Sequence, residues 1–132
     1  MASGRSVFLG LIGPPYESDQ LTTALRIADE AVRQQHRVTI WTCGYSTTLT
    51  SATLGPVKPR NAQTWGVRFP STSALAADLL AWAGDSLQWL VCRYCAEERG
   101  VLDQMPQVRV RPPYEFVQRA VAADVALVLG VK

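Results

Sequence analysis

The chain has 132 residues, 48% of them hydrophobic and 18% charged, which is the composition of a globular domain and excludes a disordered or fibrous chain. Thirteen basic and eleven acidic residues leave a net charge of +2, and the arginines are scattered, so charge alone predicts no nucleic-acid partner. The apolar run near the start spans about six residues, too short for a signal peptide or a membrane span, so we expect a cytoplasmic protein without membrane contact.

Strand and helix patterns alternate along the chain. Apolar and β-branched runs predict five strands, at residues 7–12, 38–43, 86–92, 107–111 and 125–131. Apolar residues at helical spacing predict helices at about residues 18–32, 73–83, 93–99 and 114–123. Ser18 and Ser73 are the predicted caps of the first two helices. In the last helix we expect four residues to face inward: Phe116, Val117, Ala120 and Val121.

Glycines and prolines interrupt residues 45–72, which predicts a long loop that is functional, mobile or interfacial. Trp65 in this loop is a candidate for a partner surface. Outside the loop, the order of strands and helices predicts an α/β fold with an open, mostly parallel five-stranded sheet and helices on both faces. No linker divides it, so we expect a single domain over residues 1–132.

The chain has three cysteines, too few for a disulfide framework, which predicts free thiols. Cys92 ends the third strand, at the edge where open parallel sheets collect reactive groups. The helix that begins after it and the charge of Arg93 favour a thiolate at Cys92. Cys95 lies one helical turn further on and is the predicted auxiliary thiol, able to resolve a mixed disulfide or receive sulfur.

Other interpretations of these cysteines remain open. Cys92 could simply fill space in the core. The spacing of Cys92 and Cys95 is also that of a thiol-disulfide oxidoreductase, although the cis-proline segment expected there is not recognisable. A closed zinc site needs four ligands, and only Cys43 and His36 remain, near opposite ends of the second strand, so no metal site is predicted. For Cys43 itself we expect burial, with a supporting role at the site left open.

The turn at residues 10–15 lacks the lysine and the serine or threonine of a phosphate loop, and its prolines remove amides that would hold a phosphate. No nucleotide or flavin motif is present. We therefore expect no cofactor.

Three stretches of the chain resemble the DsrE-type sulfur-relay proteins, in particular the TusD-like members. Residues 7–20, with Gly13-Pro14-Pro15-Tyr16, resemble the first strand and loop of the family, and residues 24–42 resemble its first helix and second strand. The most specific match is Cys92 followed by Arg99-Gly100, at the spacing of the TusD-like sulfur-carrying cysteine. Gln35 departs from the pattern, because the family often has glycine before the histidine at the end of helix one.

The resemblance covers nearly the whole chain except residues 45–72. It implies a flavodoxin-like fold and a persulfide carried on Cys92. It also implies homo- or hetero-oligomers that take sulfur from a rhodanese-like or other persulfide donor and pass it to an acceptor sulfur-carrier protein. The sequence therefore predicts a sulfur carrier or sulfurtransferase. The alternatives are a non-catalytic oligomeric subunit or binding module of the same fold, and the oxidoreductase considered above.

Overall fold

The protein is built on one five-stranded sheet, seen in a computed structural model that describes residues 4–14, 20–55, 66 and 70–130. The strands are β1 (Ser6–Ile12), β2 (Arg37–Cys43), β3 (Leu87–Cys92), β4 (Val108–Arg111) and β5 (Val125–Gly130). Their order across the sheet is β4-β3-β2-β1-β5, and each neighbouring pair is parallel. The predicted α/β class and five-stranded sheet are confirmed, and the sheet is parallel throughout.

Within the described residues, four α-helices connect the strands: α1 (Gln20–Arg33), α2 (Thr72–Ala83), α3 (Arg93–Glu98) and α4 (Glu115–Ala122). The predicted cap Ser18 lies outside the described residues. The predicted cap of α2 is wrong by two positions, because Ser71 takes this role by accepting a hydrogen bond from the Ala74 backbone N–H at 3.0 Å. Ser73 lies inside the helix and is 3% exposed.

The long loop predicted at residues 45–72 is not irregular throughout. Its first part is a 3₁₀ helix, Gly44–Thr50, in which Leu49 and Thr50 are fully buried. Trp65, the predicted partner-surface residue, lies outside the described residues.

The two faces of the sheet bury different cores. One face carries α1 and α2, whose apolar side chains pack on alternate strand residues such as Leu9, Ile40 and Trp89. The opposite face carries the intervening residues, among them Phe8, Trp41 and Leu90, against α4. Helices therefore lie on both faces, as predicted, and among the described residues the second core is covered mainly by α4, with Cys95 of α3 also packed against it.

Helix α4 turns a narrower face inward than the sequence predicted. Phe116 and Ala120 pack on the second core, whereas Val117 is 63% exposed and Val121 is 79% exposed, so the inward orientation predicted for these two valines is wrong. The reason is the position of α4 beside β5, an edge strand that has a neighbour on one side only. Val128 of β5 is itself 54% exposed.

The turn between α1 and β2 accounts for the one departure noted from the family pattern. Gln35 has φ 67°, in the left-handed region where glycine is favoured. His36 follows, and its Nδ1 accepts a hydrogen bond from the Arg5 backbone N–H at 3.0 Å. His36 is thus the polar turn residue that the sequence predicted.

None of the described helices is both long and apolar enough to cross a membrane.

Candidate functional site: three converging thiols

Three cysteine sulfurs meet at the carboxyl edge of the sheet. The Sγ atoms of Cys43, Cys92 and Cys95 all lie within 4.8 Å of one another, and all three thiols are free. Cys43 Sγ and Cys95 Sγ are 3.5 Å apart, within hydrogen-bonding distance for sulfur. This contact joins residues 52 positions apart in sequence, so the cluster extends beyond the CxxC pair.

The parallel sheet explains why Cys43 and Cys92 are neighbours. Strands β2 and β3 are adjacent, with Thr42 in register with Val91, so the two strands end side by side. Cys43 is the last residue of β2 and Cys92 is the last residue of β3. Side chains of a strand alternate between faces, and these two cysteines join the core on the α4 side of the sheet.

Helix α3 supplies the third sulfur. It begins directly after Cys92, and its Cys95 packs against the core on the α4 side, whereas Ala96 packs on the opposite core. The helix ends at Glu98 with Arg99 as its cap, and Gly100 follows with a φ of 68°, the left-handed conformation typical of the residue after a helix cap. This gives a structural role to the Arg99-Gly100 pair that carried the family resemblance.

The side chains of Gln104 and Arg99 connect the segment after Cys43 with the segment after Cys95. Gln104 donates through Nε2 to the backbone oxygens of Thr47 at 3.0 Å and Val101 at 2.6 Å, and its Oε1 accepts from the Thr50 hydroxyl. Arg99 stacks its guanidinium 4.3 Å from the centre of the Tyr45 ring. The 3₁₀ helix is thus held against the chain that follows α3, and the contact between Cys43 and Cys95 is preorganised.

Cys92 lies deeper than its two partners. It is 1% exposed and belongs to a buried cluster with Phe8, Trp41 and Leu90, whereas Cys43 and Cys95 are half-buried. A molecule approaching from solvent would therefore meet Cys43 or Cys95 before Cys92.

Burial also changes the acidity of Cys92. The sequence predicted a thiolate favoured by a helix start and by Arg93, but burial raises the pKa of Cys92 above its ordinary value. The backbone N–H of Cys95 acts in the opposite direction without reversing the shift. The predicted direction of the pKa shift is therefore wrong in this structure, because loss of hydration outweighs the single amide.

The pKa of Cys43 is raised strongly. Burial, together with the hydrogen bond to Cys95 and the negative charge that Cys92 would carry, raises the pKa of Cys43 to about 12. Ionising one thiol of the cluster makes ionisation of the next harder, because like charges would lie within a few ångströms. At neutral pH Cys43 is protonated.

The arginines near the cluster have distinct partners. Arg93, the residue predicted to stabilise a thiolate, forms an exposed ion pair with Glu97 at 2.9 Å. Arg99 is more enclosed, and its Nη1 donates to the backbone oxygen of Cys95 at 3.1 Å. Arg111 is the β4 residue in register with Cys92. Arg99 and Arg111 are thus linked to the cysteine segments by backbone geometry, and Arg111 also lies 4.0 Å from Glu115.

Sequence reasoning undervalued Cys43. Its location at the end of a predicted strand was the one available signal, since strand ends on one edge of a parallel sheet come together. His36, at the start of β2, lies at the other end of this strand from Cys43. Among the described residues, the cluster of potential metal ligands contains the three cysteines and no histidine or carboxylate.

Comparison with known proteins identifies a solved structure with a similar fold. No protein-family model matches the sequence, and no curated protein matches it. Among solved structures, the YchN protein of E. coli is similar with a TM-score of 0.72 and 19% sequence identity, over 95% of this chain and 99% of that chain. YchN has a DsrE/DsrF-like fold. The predicted fold class is therefore confirmed: this chain is an α/β protein with an all-parallel five-stranded sheet, and it shares the fold of YchN.

Proposed function

We propose that this protein is a sulfur carrier that holds persulfide sulfur on its cysteine cluster and passes it from a donor protein to an acceptor cysteine. The observation that carries the proposal is the convergence of three free sulfurs within 4.8 Å at the carboxyl edge of a DsrE-type sheet. The TusD-like spacing of Cys92 and Arg99-Gly100 supports Cys92 as the residue that stores the sulfur.

The chemistry is thiol-persulfide exchange. A thiolate of the cluster attacks the terminal sulfur of the donor persulfide, a new S–S bond forms, and the donor cysteine leaves as a thiolate. We assign the first attack to Cys95, because it is half-buried while Cys92 is 1% exposed. Cys92 then takes the sulfur from Cys95 by the same exchange, and burial among aromatic side chains protects the product from water and soluble reductants.

The experiment locates one added sulfur. Reduced protein is incubated with inorganic polysulfide, desalted, and analysed by mass spectrometry intact and after trypsin digestion. Arg93 lies between Cys92 and Cys95, so cleavage after it places the two cysteines on different peptides. We expect the sulfur on the Cys92 peptide, loss of stable loading in Cys92→Ser, and slower loading with the same final extent in Cys95→Ser.

Cys43→Ser is the matched control, because it alters the same cluster without removing either residue of the proposed relay, and it should still load. Stable loading that persists in Cys92→Ser, or a sulfur that maps to Cys43 in the wild type, would contradict the assignment. Far-UV circular dichroism and thermal melting of each variant separate loss of loading from loss of folding.

The second candidate is a non-catalytic subunit of the same fold, in a homo- or hetero-oligomer. It is favoured by the burial of Cys92 and by apolar residues exposed on α4 and β5, notably Val121 at 79% and Val128 at 54%. An exposed apolar edge strand is usually covered in native proteins. Rapid persulfide loading of the purified protein separates the carrier from this alternative, in which the cysteines only pack.

A further inference from the structure

The cysteine cluster has the composition and dimensions of a metal site. Three sulfur atoms come from two adjacent strand ends and the following helix, and no carboxylate or imidazole belongs to the group among the described residues. Thiolates are soft ligands that select soft ions such as Cu(I) over Mg²⁺ or Ca²⁺. We propose that Cys43, Cys92 and Cys95 bind one Cu(I) ion as a three-thiolate site.

The sulfur positions fit three-coordinate binding with small adjustments. Metal-sulfur bonds of about 2.3 Å directed to the corners of a triangle place the sulfurs about 4.0 Å apart. The observed separations are compatible with this value, since Cys43 and Cys95 are 3.5 Å apart and no pair exceeds 4.8 Å. Side-chain rotations that move each sulfur by a fraction of an ångström would complete the triangle.

The number of ligands favours Cu(I) over Zn²⁺. Structural zinc sites are almost always four-coordinate, and the described part of the cluster offers only three donors. The surroundings of Cys92 are apolar, with Phe8, Trp41 and Leu90 packed against it, so polar ligands have little access on that side. Cu(I) accepts three soft ligands, and three thiolates in an apolar surrounding suit it.

Binding involves no change of oxidation state. Each thiol transfers its proton to solvent as its sulfur bonds the metal, so three protons leave and three metal-sulfur bonds form. The resulting centre, with three thiolates and one monovalent cation, carries two negative charges. We expect Arg99, bonded to the Cys95 carbonyl oxygen, and Arg111, in register with Cys92, to offset part of this charge, although they also pair with Glu98 and Glu115.

The test uses reduced protein without any sulfur donor, so its result is independent of the proposed relay. Under anaerobic conditions the protein is titrated with Cu(I) against the chromophoric chelator bathocuproine disulfonate, and thiolate-to-copper charge transfer is recorded in the ultraviolet. We expect one Cu(I) per chain. We also expect Cu(I) affinity to fall at least about 100-fold in Cys43→Ser and in Cys95→Ser. Removing a metal ligand weakens binding more than removing a residue that only hydrogen-bonds to a ligand.

Glu97→Gln is the control, because Glu97 lies on the same helix, pairs with Arg93 at 2.9 Å and belongs to no sulfur contact. Its Cu(I) affinity should equal that of the wild type. Cys43→Ser is the decisive variant, since it leaves both members of the CxxC pair in place. Wild-type affinity in Cys43→Ser, or competition experiments showing tighter binding of Zn²⁺ than of Cu(I), would overturn the proposal.

Discussion

Phe116 is the α4 side chain that packs on the aromatic core to which Cys92 belongs. Its ring packs edge-on against Phe8 at 5.3 Å and against Trp41 at 5.9 Å between ring centres, and both aromatic residues share a buried cluster with Cys92. The ring also lies over Gly10, where an added Cβ would come within 3.0 Å of it. We predict that Phe116→Ala both destabilises the protein and exposes Cys92.

The expected loss of stability follows from the contacts that Phe116 makes. Replacing a fully buried phenylalanine by alanine costs about 3–5 kcal/mol, and aromatic pairs add about 0.5–1.5 kcal/mol to area burial. Phe116 is half-buried, so we expect a smaller loss than for a fully buried ring, about 2–3 kcal/mol. Equilibrium unfolding in urea measures the change, provided that the slope of the transition stays the same.

The reactivity of Cys92 should change in parallel. A loss of 2–3 kcal/mol raises the population of open molecules by about 30- to 150-fold, which is the minimum expected increase in the alkylation rate of Cys92. Peptide mapping after iodoacetamide pulses reports this residue separately. Val117→Ala, on the same helix but 63% exposed, is the control and should leave both measurements nearly unchanged. Wild-type stability and wild-type labelling of Cys92 in Phe116→Ala would refute the role assigned to this ring.

Three further outcomes are expected. Because the pKa of Cys43 is raised to about 12, its alkylation rate in the native protein should rise about tenfold per pH unit from pH 8 to 11; a plateau near pH 9 would contradict this shift. Anaerobic oxidation with diamide should join Cys43 to Cys95, the pair 3.5 Å apart, and peptide mapping that shows mainly a Cys92–Cys95 disulfide would be inconsistent with the geometry. If α4 and β5 form an oligomer surface, Val121→Glu and Val128→Glu should reduce the sedimentation coefficient; a monomeric wild type would exclude such a surface.

The three thiols restrict how sulfur and metal could share this site. A sulfur atom added to Cys92 occupies a cluster that is already closely packed, and a bound Cu(I) ion would engage the thiols needed for exchange. The two proposals therefore describe alternative states of one protein. They are tested separately, because copper binding is measured without a sulfur donor and sulfur loading without copper.

The sequence by itself determined the type and order of most elements. Short apolar runs such as residues 7–12 form buried strands whatever lies around them, and apolar residues at helical spacing make α1 and α2 recognisable. The end of β3 at Cys92 and the following short helix were also readable from local pattern. These features depend on residues that are close together in the sequence, so the sequence alone shows them.

Only the tertiary structure decided which side chains meet and how exposed they are. The contact between Cys43 and Cys95 joins residues 52 positions apart and depends on β2 lying beside β3. The raised pKa of Cys92 results from burial in the second core, and the exposure of Val117 and Val121 results from the edge position of β5. Strand order and packing are properties of the whole assembled sheet, so no local pattern carries them.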